Sequence, residues 1–337
     1  TAGEPLAPGI ALGAGVHRMV GGRHAPRYRI LAGLTLLPAP VKLALFMTKR
    51  IRTYRELSGE DRSGIGAQVA VQQDRVRERL RTVRHTVAVM SGKGGVGKSF
   101  VTALLATALA DAGKRVGVLD ADLHGPTAAR MLGVGGKPLV VRDDDVVPPQ
   151  GARGVRVISS DLLLAEGAPL KWKEPGEARF VWRGTLEAGM LREFLADVAW
   201  GELDLLLLDL PPGTDRLTTL MELLPGLTGV LAVTIPSDAS LRAVARSLQL
   251  ASEGGVRILG IVENMANYRC AQCGAQGPLF SGNAADRLAT LAGAPVLARL
   301  PFDPALQAAV DAGRLGEPAG PAFAALAAAL LARVEGA

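Results

Sequence analysis

Between Thr86 and Asp122 the spacing of the apolar residues changes twice, from a strand pattern to a helical pattern and back to a strand pattern. "TVAVM" is a short β-branched run with the length of a buried strand, "FVTALLATALADAG" is helical and stops at Gly113, and "RVGVLDAD" is the next strand. The glycine-rich segment "SGKGGVGKS" joins the first strand to the helix. This order predicts a βαβ unit with the glycine loop at the carboxyl end of its first strand.

A further apolar run, "LDLLLLDLPPGT", predicts another strand that ends at Asp209. Downstream, "LREFLADVAW" reads as an amphipathic helix and "PAFAALAAALLARV" as a helix of small apolar residues for core or dimer packing. These elements predict one α/β domain, doubly wound around a mostly parallel sheet. We assign it to residues 86–337.

Upstream of this domain the apolar residues follow helical spacing among Gln and Arg, and they are Ile65, Val69, Val76, Leu80 and Val83. This spacing predicts an amphipathic helix within residues 58–85 that leads into the domain. The predicted fold is therefore a doubly wound sheet with an N-terminal helical extension.

Residues 1–57 form a basic leader that contains no acidic residue between Glu4 and Glu56. It could be a membrane-surface segment, although prolines interrupt its apolar run well short of the ~20 residues that a spanning helix needs. It could also be an organellar transit peptide, although serine is absent before Ser58. We favour a third interpretation, a disordered or artefactual leader.

Composition and charge narrow the function. The 337 residues are 48% hydrophobic and 21% charged, which is typical of a soluble globular protein. Residues 1–85 hold 15 of the 38 basic residues but 6 of the 32 acidic ones, so the basic excess lies in the extension. A nucleic-acid role for the main domain therefore gains no support from charge. The two cysteines are too close in sequence to staple a fold, which indicates a reducing compartment.

The glycine loop has the spacing of a phosphate-binding loop, G-x-x-x-x-G-K-[ST]. Its backbone N–H groups and the following helix N-terminus suit phosphates, Lys98 suits the β- and γ-phosphates, and the Ser99 hydroxyl suits Mg²⁺. The predicted nucleotide-binding residues of the loop are Gly92, Lys93, Gly94, Gly95, Val96, Gly97, Lys98 and Ser99.

The loop carries a second lysine, Lys93, and "KGGVGKS" resembles the deviant loop of the MinD, ParA and nitrogenase iron protein ATPases. The resemblance implies that Lys93 reaches across a dimer interface to the partner subunit's ATP, as an intermolecular counterpart of an arginine finger. Lys98 would then hold its own nucleotide and Lys93 the neighbour's.

Acidic residues end two of the predicted strands. Asp120 and Asp122 end "VGVLDAD", and Asp209 ends the longer apolar run. The resemblance makes Asp122 the switch I residue that orients the attacking water and places it in the metal site with Ser99. Asp209 is placed like a Walker B acid that holds Mg²⁺ through water, ahead of a Pro-Pro-Gly switch II.

Cys270 and Cys273 form a lone C-x-x-C within "GIVENMANYRCAQCGAQGPLF". Two thiolates cannot close a tetrahedral or cubane metal site, so one chain supplies only half of the ligands. A two-fold dimer would supply four.

Five stretches together resemble the Mrp/ApbC family of iron-sulfur cluster carrier ATPases: "SGKGGVGKS", "LDADLHGPT", "VWRGTLEAGMLREFLADVAWGELDLLLLDLPPGT", "ENMANYRCAQCG" and "LPFDPALQAAVDAGR". The resemblance covers about Thr86 to Leu315. It implies a homodimer that binds ATP and Mg²⁺, bridges a 4Fe-4S cluster on its paired cysteines and passes the cluster to apo-proteins, with scaffold proteins as further partners. It also makes Asn264 and Pro301 adenine-contacting positions.

Three positions depart from the family pattern. Phe100 stands where a threonine usually follows the serine, which predicts a lower nucleotide affinity because a hydroxyl for the α-phosphate is missing. Thr214 is followed directly by Asp215 and Arg216, where the family usually has Gly-Asp. His124 stands where tyrosine is common, and we interpret it as a surface or switch-loop residue.

The alternative function is a MinD/ParA-like spatial organiser that dimerises with ATP to bind membrane or DNA, with its cysteines holding zinc or nothing. We predict the carrier function, no nucleic-acid partner and a cytoplasmic location. The location would be mitochondrial or plastid if the leader is a transit peptide, and a membrane contact of the leader is the less favoured interpretation.

Overall fold

A seven-stranded parallel sheet forms the centre of the protein. The computed structural model describes residues 65–142, 145–163, 179–224, 226–269, 272–315 and 320–336. The leader assigned to residues 1–57 lies outside these ranges. The strands are β1 (Val83–Ser91), β2 (Val116–Asp120), β3 (Val140–Arg142), β4 (Asp145–Val147), β5 (Arg156–Ser159), β6 (Leu203–Asp209), β7 (Gly229–Thr234), β8 (Ile258–Glu263), β9 (Tyr268–Arg269), β10 (Gln276–Gly277) and β11 (Val296–Arg299).

Nine helices accompany these strands in the described ranges. They are α1 (Ile65–Leu80), α2 (Lys98–Asp111), α3 (Ala128–Met131), α4 (Arg179–Asp197), α5 (Asp215–Leu223), α6 (Asp238–Glu253), α7 (Ala284–Ala292), α8 (Pro304–Asp311) and α9 (Pro321–Glu335). Two short 3₁₀ helices, Ala152–Gly154 and Ser160–Leu163, flank β5. No helix of the described ranges is long and apolar enough to cross a bilayer.

The large sheet has the order β11-β8-β7-β1-β6-β2-β5, and every neighbouring pair is parallel. The predicted doubly wound α/β fold is therefore confirmed. Two antiparallel pairs, β3 with β4 and β9 with β10, lie outside this sheet. Because helices cover both faces, its inner strands are apolar on both sides, as "LDLLLL" illustrates.

Each face of the sheet has its own hydrophobic core. One core packs α2, α3 and α9 against residues such as Val87, Val89 and Leu207. The other packs α4, α5, α6 and α7 against the alternate residues of the same strands, such as Ala88, Met90 and Leu206. The alternation follows from the two-residue period of a strand. The C-terminal helix α9 belongs to the first core, as its small apolar composition indicated.

Helix α1 packs against α4. Its Val76 is 1% exposed and lies in the same core as α4 residues Leu191 and Phe194. Arg79 donates from Nε to the Ala196 carbonyl oxygen at 3.1 Å and pairs with Asp145. The helix is thereby anchored to the same face of the sheet as α4.

The carboxyl ends of β1, β2 and β6 meet at one edge of the sheet. β6 lies between the other two, and Asp209 is register partner of Val89 on β1 and of Asp120 on β2. The loops that follow these three strands are therefore neighbours in space, although they are far apart in sequence. This edge is the place where ligands bind in open α/β sheets.

Candidate functional site

The glycine loop lies between β1 and α2 and is held in place by contacts that only glycine permits. Gly97 has φ +80°, and a Cβ there would lie 2.3 Å from Asn264 Nδ2. A Cβ on Gly92 would lie 2.3 Å from the backbone nitrogen of Val244 on α6. The loop is therefore wedged between α6 and the end of β8, with the N-terminus of α2 directly behind it.

Lys98 and Asp209 form a buried ion pair at the base of the loop. Lys98 Nζ donates to Asp209 Oδ1 at 2.6 Å, and their side chains are 6% and 0% exposed. Thr102 Oγ1, one helical turn further along α2, donates to the same oxygen at 2.9 Å. Lys98 Nζ also donates to Ser99 Oγ at 3.2 Å. Two predicted ligands, Ser99 and Asp209, are thus brought together around the predicted phosphate-binding lysine.

The second carboxylate oxygen of Asp209 is buried and has no hydrogen-bond partner in the described part of the chain. An unsatisfied buried carboxylate oxygen is costly and points to a ligand that the protein binds there. Mg²⁺ fits this donor set, since it prefers oxygen ligands and is usually bound by one or two carboxylates together with substrate phosphates. The described residues contain no group of three or more His, Cys, Asp or Glu that could hold a metal unaided.

Asp120 lies beside Asp209 and is fully enclosed. Its Oδ2 accepts hydrogen bonds from the backbone nitrogens of Thr127 and Ala128 at 2.9 and 3.0 Å. Burial in the protein interior, together with the neighbouring Asp209 charge, raises the pKa of Asp120 to about 7. Asp120 therefore anchors the loop after β2 to the start of α3.

Asp122 lies at the surface of that same loop. Its Oδ1 accepts hydrogen bonds from the backbone nitrogens of His124 and Gly125 at 3.3 and 3.1 Å, which is an Asx-type turn. His124 is accordingly a loop residue, as its position suggested. Asp122 lies at the same sheet edge as Asp209, two residues beyond the end of β2.

The two lysines of the loop differ in their environments. Lys98 is buried and paired, whereas Lys93 is half-buried and has no carboxylate within ion-pair distance in the described ranges. The backbone carbonyl oxygen of Lys93 accepts a hydrogen bond from Ser91 Oγ at 3.1 Å, which fixes the backbone but not the ammonium group.

Phe100 has a packing role. It is 8% exposed and packs edge-on against Phe323 of α9, with ring centroids 6.2 Å apart. The residue at this position therefore joins α2 to α9 in the first core. Where the family pattern has a threonine hydroxyl, this chain has an aromatic ring. The ring makes apolar contact on the side of α2 that faces away from Asp209.

Asn264 and Pro301 follow the neighbouring strands β8 and β11 at the same sheet edge. Asn264 is 2% exposed, and its Nδ2 donates to the Val96 carbonyl oxygen at 3.0 Å. Pro301 is exposed. Asn264 therefore supports the glycine loop directly, a contact that its position in the sequence does not reveal.

Cys273 of the C-x-x-C lies between β9 and β10. Cys273 is exposed with a free thiol, and Cys270 lies outside the described residues. The hairpin is attached to the sheet edge by Tyr268, which pairs with Phe302 through a backbone bridge and a ring contact at 6.2 Å between centroids. Leu279 and Phe280, just beyond β10, are also exposed.

Sequence reasoning missed two polar residues of this edge, Thr102 and Glu187. Thr102 lies one turn after Ser99 on the same face of α2, a spacing that could have identified it. Glu187 on α4 contacts both His124 and Arg216 and is 3% exposed. No sequence signal marks Glu187, because its partners lie in loops that are distant along the chain.

Known proteins are similar to about three quarters of this chain. The ParA family model described as NUBPL iron-transfer P-loop NTPase matches residues 82–330. The iron-sulfur cluster carrier protein of Saccharolobus solfataricus is 39% identical over 250 residues, which cover 74% of this chain and 81% of that protein. The cytosolic Fe-S cluster assembly factor NUBP2 of Homo sapiens is 42% identical over 255 residues, covering 73% and 91%.

A solved structure is also similar. The nucleotide-binding protein of Archaeoglobus fulgidus in complex with ADP has a TM-score of 0.63 and 38% identity, covering 74% of this chain and 95% of that one.

Proposed function

The chain belongs to the ParA family of NUBPL iron-transfer P-loop NTPases, and on that premise we propose that it is an ATP-hydrolysing carrier of 4Fe-4S clusters. Two copies would hold one cluster between them and deliver it to apo-proteins. The observation that carries this proposal is the short connection between two sites. Asn264 contacts the glycine loop, and the cysteine hairpin begins four residues later at Tyr268.

The residues around Asp209 support a role in binding Mg·ATP. The backbone of residues 92–97 would surround the phosphates, and Lys98 would exchange Asp209 for a phosphate oxygen. Asp209 and Ser99 would then be available to Mg²⁺, which in phosphoryl transfer neutralises charge on the phosphates. Asp122 would orient the attacking water, and Lys93 of each subunit would contact the ATP of the other.

The cysteine hairpin supports a role in carrying the cluster as cargo. A 4Fe-4S cluster held by protein thiolates takes four of them, and each chain has two. The exposure of Cys273 allows a second chain to approach it. The exposed Leu279 and Phe280 beside it offer apolar surface to such a partner.

The names of the relatives support the choice of partners. One is called an iron-sulfur cluster carrier protein and another a cytosolic Fe-S cluster assembly factor. We therefore propose apo iron-sulfur proteins and scaffold proteins as partners. We also propose the cytoplasm as the place of action, where free thiols stay reduced.

A cluster-transfer assay tests this function. The chain is reconstituted anaerobically with iron and sulfide, and an apo-ferredoxin is added with or without Mg·ATP. Cluster arrival is followed by the visible spectrum of the recipient and by its regained electron-transfer activity. Transfer by the wild type, and none by Cys273→Ala, supports the proposal. Stoichiometric zinc without sulfide, and no transfer, would favour the MinD/ParA-like organiser.

A further inference from the structure

Glu187 of α4 is a buried carboxylate, and two of its partners come from the segments that follow β2 and β6. Its side chain is 4% exposed. Glu187 Oε1 lies 2.6 Å from His124 Nε2, and Glu187 Oε2 pairs with the guanidinium of Arg216. None of these three residues belongs to the nucleotide-binding set derived above.

The two partners mark the two loops that follow β2 and β6. His124 lies two residues after Asp122, and Arg216 lies in the first turn of α5, after the Pro211–Thr214 turn that follows Asp209. The two loops and Glu187 line a common cavity of about 230 Å³. One carboxylate thus bridges the segment that carries Asp122 and the segment that begins at Asp209.

The energetics of burial make this bridge a coupling device. Removing a carboxylate from water has an effective penalty of several kcal/mol unless charge partners and hydrogen bonds compensate it. At Glu187 the compensation includes one contact from each loop. If either loop moved away alone, the buried charge would lose part of its compensation, so joint movement of both loops is favoured over separate movement.

We infer that Glu187 is a positioning residue that couples the Asp122 loop to the loop after Asp209, so that both respond to bound ATP as one unit. This inference rests on the proposed ATP hydrolysis. Glu187 pairs with His124 and with Arg216, which belong to the segments after β2 and after β6. Its effect on hydrolysis would therefore arise through the placement of Asp122 and of the turn after Asp209.

Two substitutions separate this role from simple packing. Glu187→Gln keeps the shape and the hydrogen-bonding capacity but removes the charge, whereas Glu187→Leu keeps only the approximate volume. Glu193→Gln is the matched control, because Glu193 is a partly buried carboxylate on the same helix. The charged residues around it, Asp197, Arg192 and Arg75, lie outside both loops. Thermal unfolding of each full-length variant establishes that it is folded.

Steady-state ATP hydrolysis gives the first readout. We expect kcat of Glu187→Leu to fall about tenfold, with KM for ATP and the Kd of a non-hydrolysable analogue within about twofold of wild type. Glu187→Gln should retain more activity than Glu187→Leu, and Glu193→Gln should match wild type. Adding Arg216→Ala to Glu187→Leu should lower kcat less than the two single losses predict together, because both remove the same bridge.

Hydrogen exchange gives the second readout, with and without the non-hydrolysable analogue. In wild type, the analogue should protect residues 122–125 and 211–216 together, and in Glu187→Leu it should protect them unequally. Parallel protection in Glu187→Leu, with wild-type kcat, would overturn the inference while leaving ATP hydrolysis intact. A wild-type chain that binds the analogue but does not hydrolyse ATP would instead refute the proposed function itself, and the inference with it.

Discussion

The nucleotide site and the cysteine hairpin occupy the same sheet edge but are built in opposite ways. Around Asp209 the side chains are buried and interlocked, since Lys98 and Thr102 both donate to one carboxylate oxygen. At the hairpin the strands are two residues long and the Cys273 thiol is exposed. One site is largely assembled within a single chain, and the other presents its chemistry outward.

Under the proposed function, this difference indicates where a second chain would be required. The residues proposed to bind phosphate meet inside one subunit, so a monomer would hold nearly all that a nucleotide needs except the contact proposed for Lys93. The hairpin would supply half of the thiolates that a 4Fe-4S cluster takes. Changes at the first site should therefore act within one subunit, and changes at the second should act on the dimer.

The largest expected effect is the loss of nucleotide binding in Lys98→Ala. The substitution removes the ammonium that the phosphates would contact and leaves Asp209 buried without its cation, so we expect ATP affinity to fall by about 100-fold or more. Isothermal titration calorimetry measures the ATP affinity at a temperature below the unfolding midpoint of the variant. Lys137→Ala, an exposed lysine away from the site, is the control and should bind as wild type does.

Cys273→Ala should have an equally complete effect, but on the cluster alone. Because Cys273 is exposed, its removal should change the free energy of unfolding by less than about 0.5 kcal/mol and leave ATP affinity unchanged. Iron and sulfide analysis after reconstitution should find no cluster. Gln272→Ala in the same turn should keep the cluster. If Cys273→Ala also retained a cluster, the hairpin would not be the cluster-binding site.

Asp122→Ala should separate binding from turnover. Asp122 lies outside the buried Lys98–Asp209 pair, so ATP affinity should stay within about twofold of wild type. Loss of the residue proposed to orient the water should lower kcat about 100-fold, within the range for acid–base and positioning groups. Single-turnover hydrolysis measures this effect, and an unchanged rate would mean that another group orients the water.

A mixed dimer tests the single contact that would cross between nucleotide sites. A purified heterodimer of one Lys93→Ala subunit and one Lys98→Ala subunit keeps one complete site if Lys93 acts on the partner's ATP. Its turnover should be about half that of wild type, while each variant homodimer is inactive. If Lys93→Ala homodimers were as active as wild type, Lys93 would be a surface lysine that does not act on the partner's ATP.

The last expected effect concerns stability and not turnover, and it is a pH dependence that arises from Asp120. Its folded-state pKa of about 7 lies above the ordinary value of 3.8, so the folded chain holds a proton that the unfolded chain has released. Between these values stability contributed by Asp120 falls as pH rises, by up to about 1.4 kcal/mol per pH unit. Urea unfolding at pH 5 and pH 8 should show a smaller fall for Asp120→Asn.

Much of the nucleotide site could be predicted from sequence because its residues lie at the ends of strands. The apolar runs before Asp120 and Asp209 predict parallel strands, and parallel strands bring their carboxyl ends together. The glycine loop can be recognised in the sequence because phosphate binding demands a specific spacing of residues. The pairing of Lys98 with Asp209 is not visible in that pattern, since it depends on the register of β1 and β6.

Other contacts of this edge could not be predicted from the sequence. Glu187 meets His124 across 63 positions of the chain, and nothing in the helical pattern of α4 distinguishes an inward-facing carboxylate. Asn264 was assigned to adenine by resemblance, whereas its contact with Val96 depends on how closely β8 approaches the glycine loop. Phe100 appeared as a lost hydroxyl because its packing partner Phe323 lies more than 200 residues away.

The central claim is that the nucleotide site belongs to one chain and the cluster to two. Native mass spectrometry of the anaerobically reconstituted protein, combined with iron and sulfide analysis, tests it most directly. The account predicts two chains with about four iron and about four sulfide ions per dimer, and a return to monomers when the cluster is removed by chelation. A complete cluster on a monomer, or a dimer with zinc and no sulfide, would contradict it.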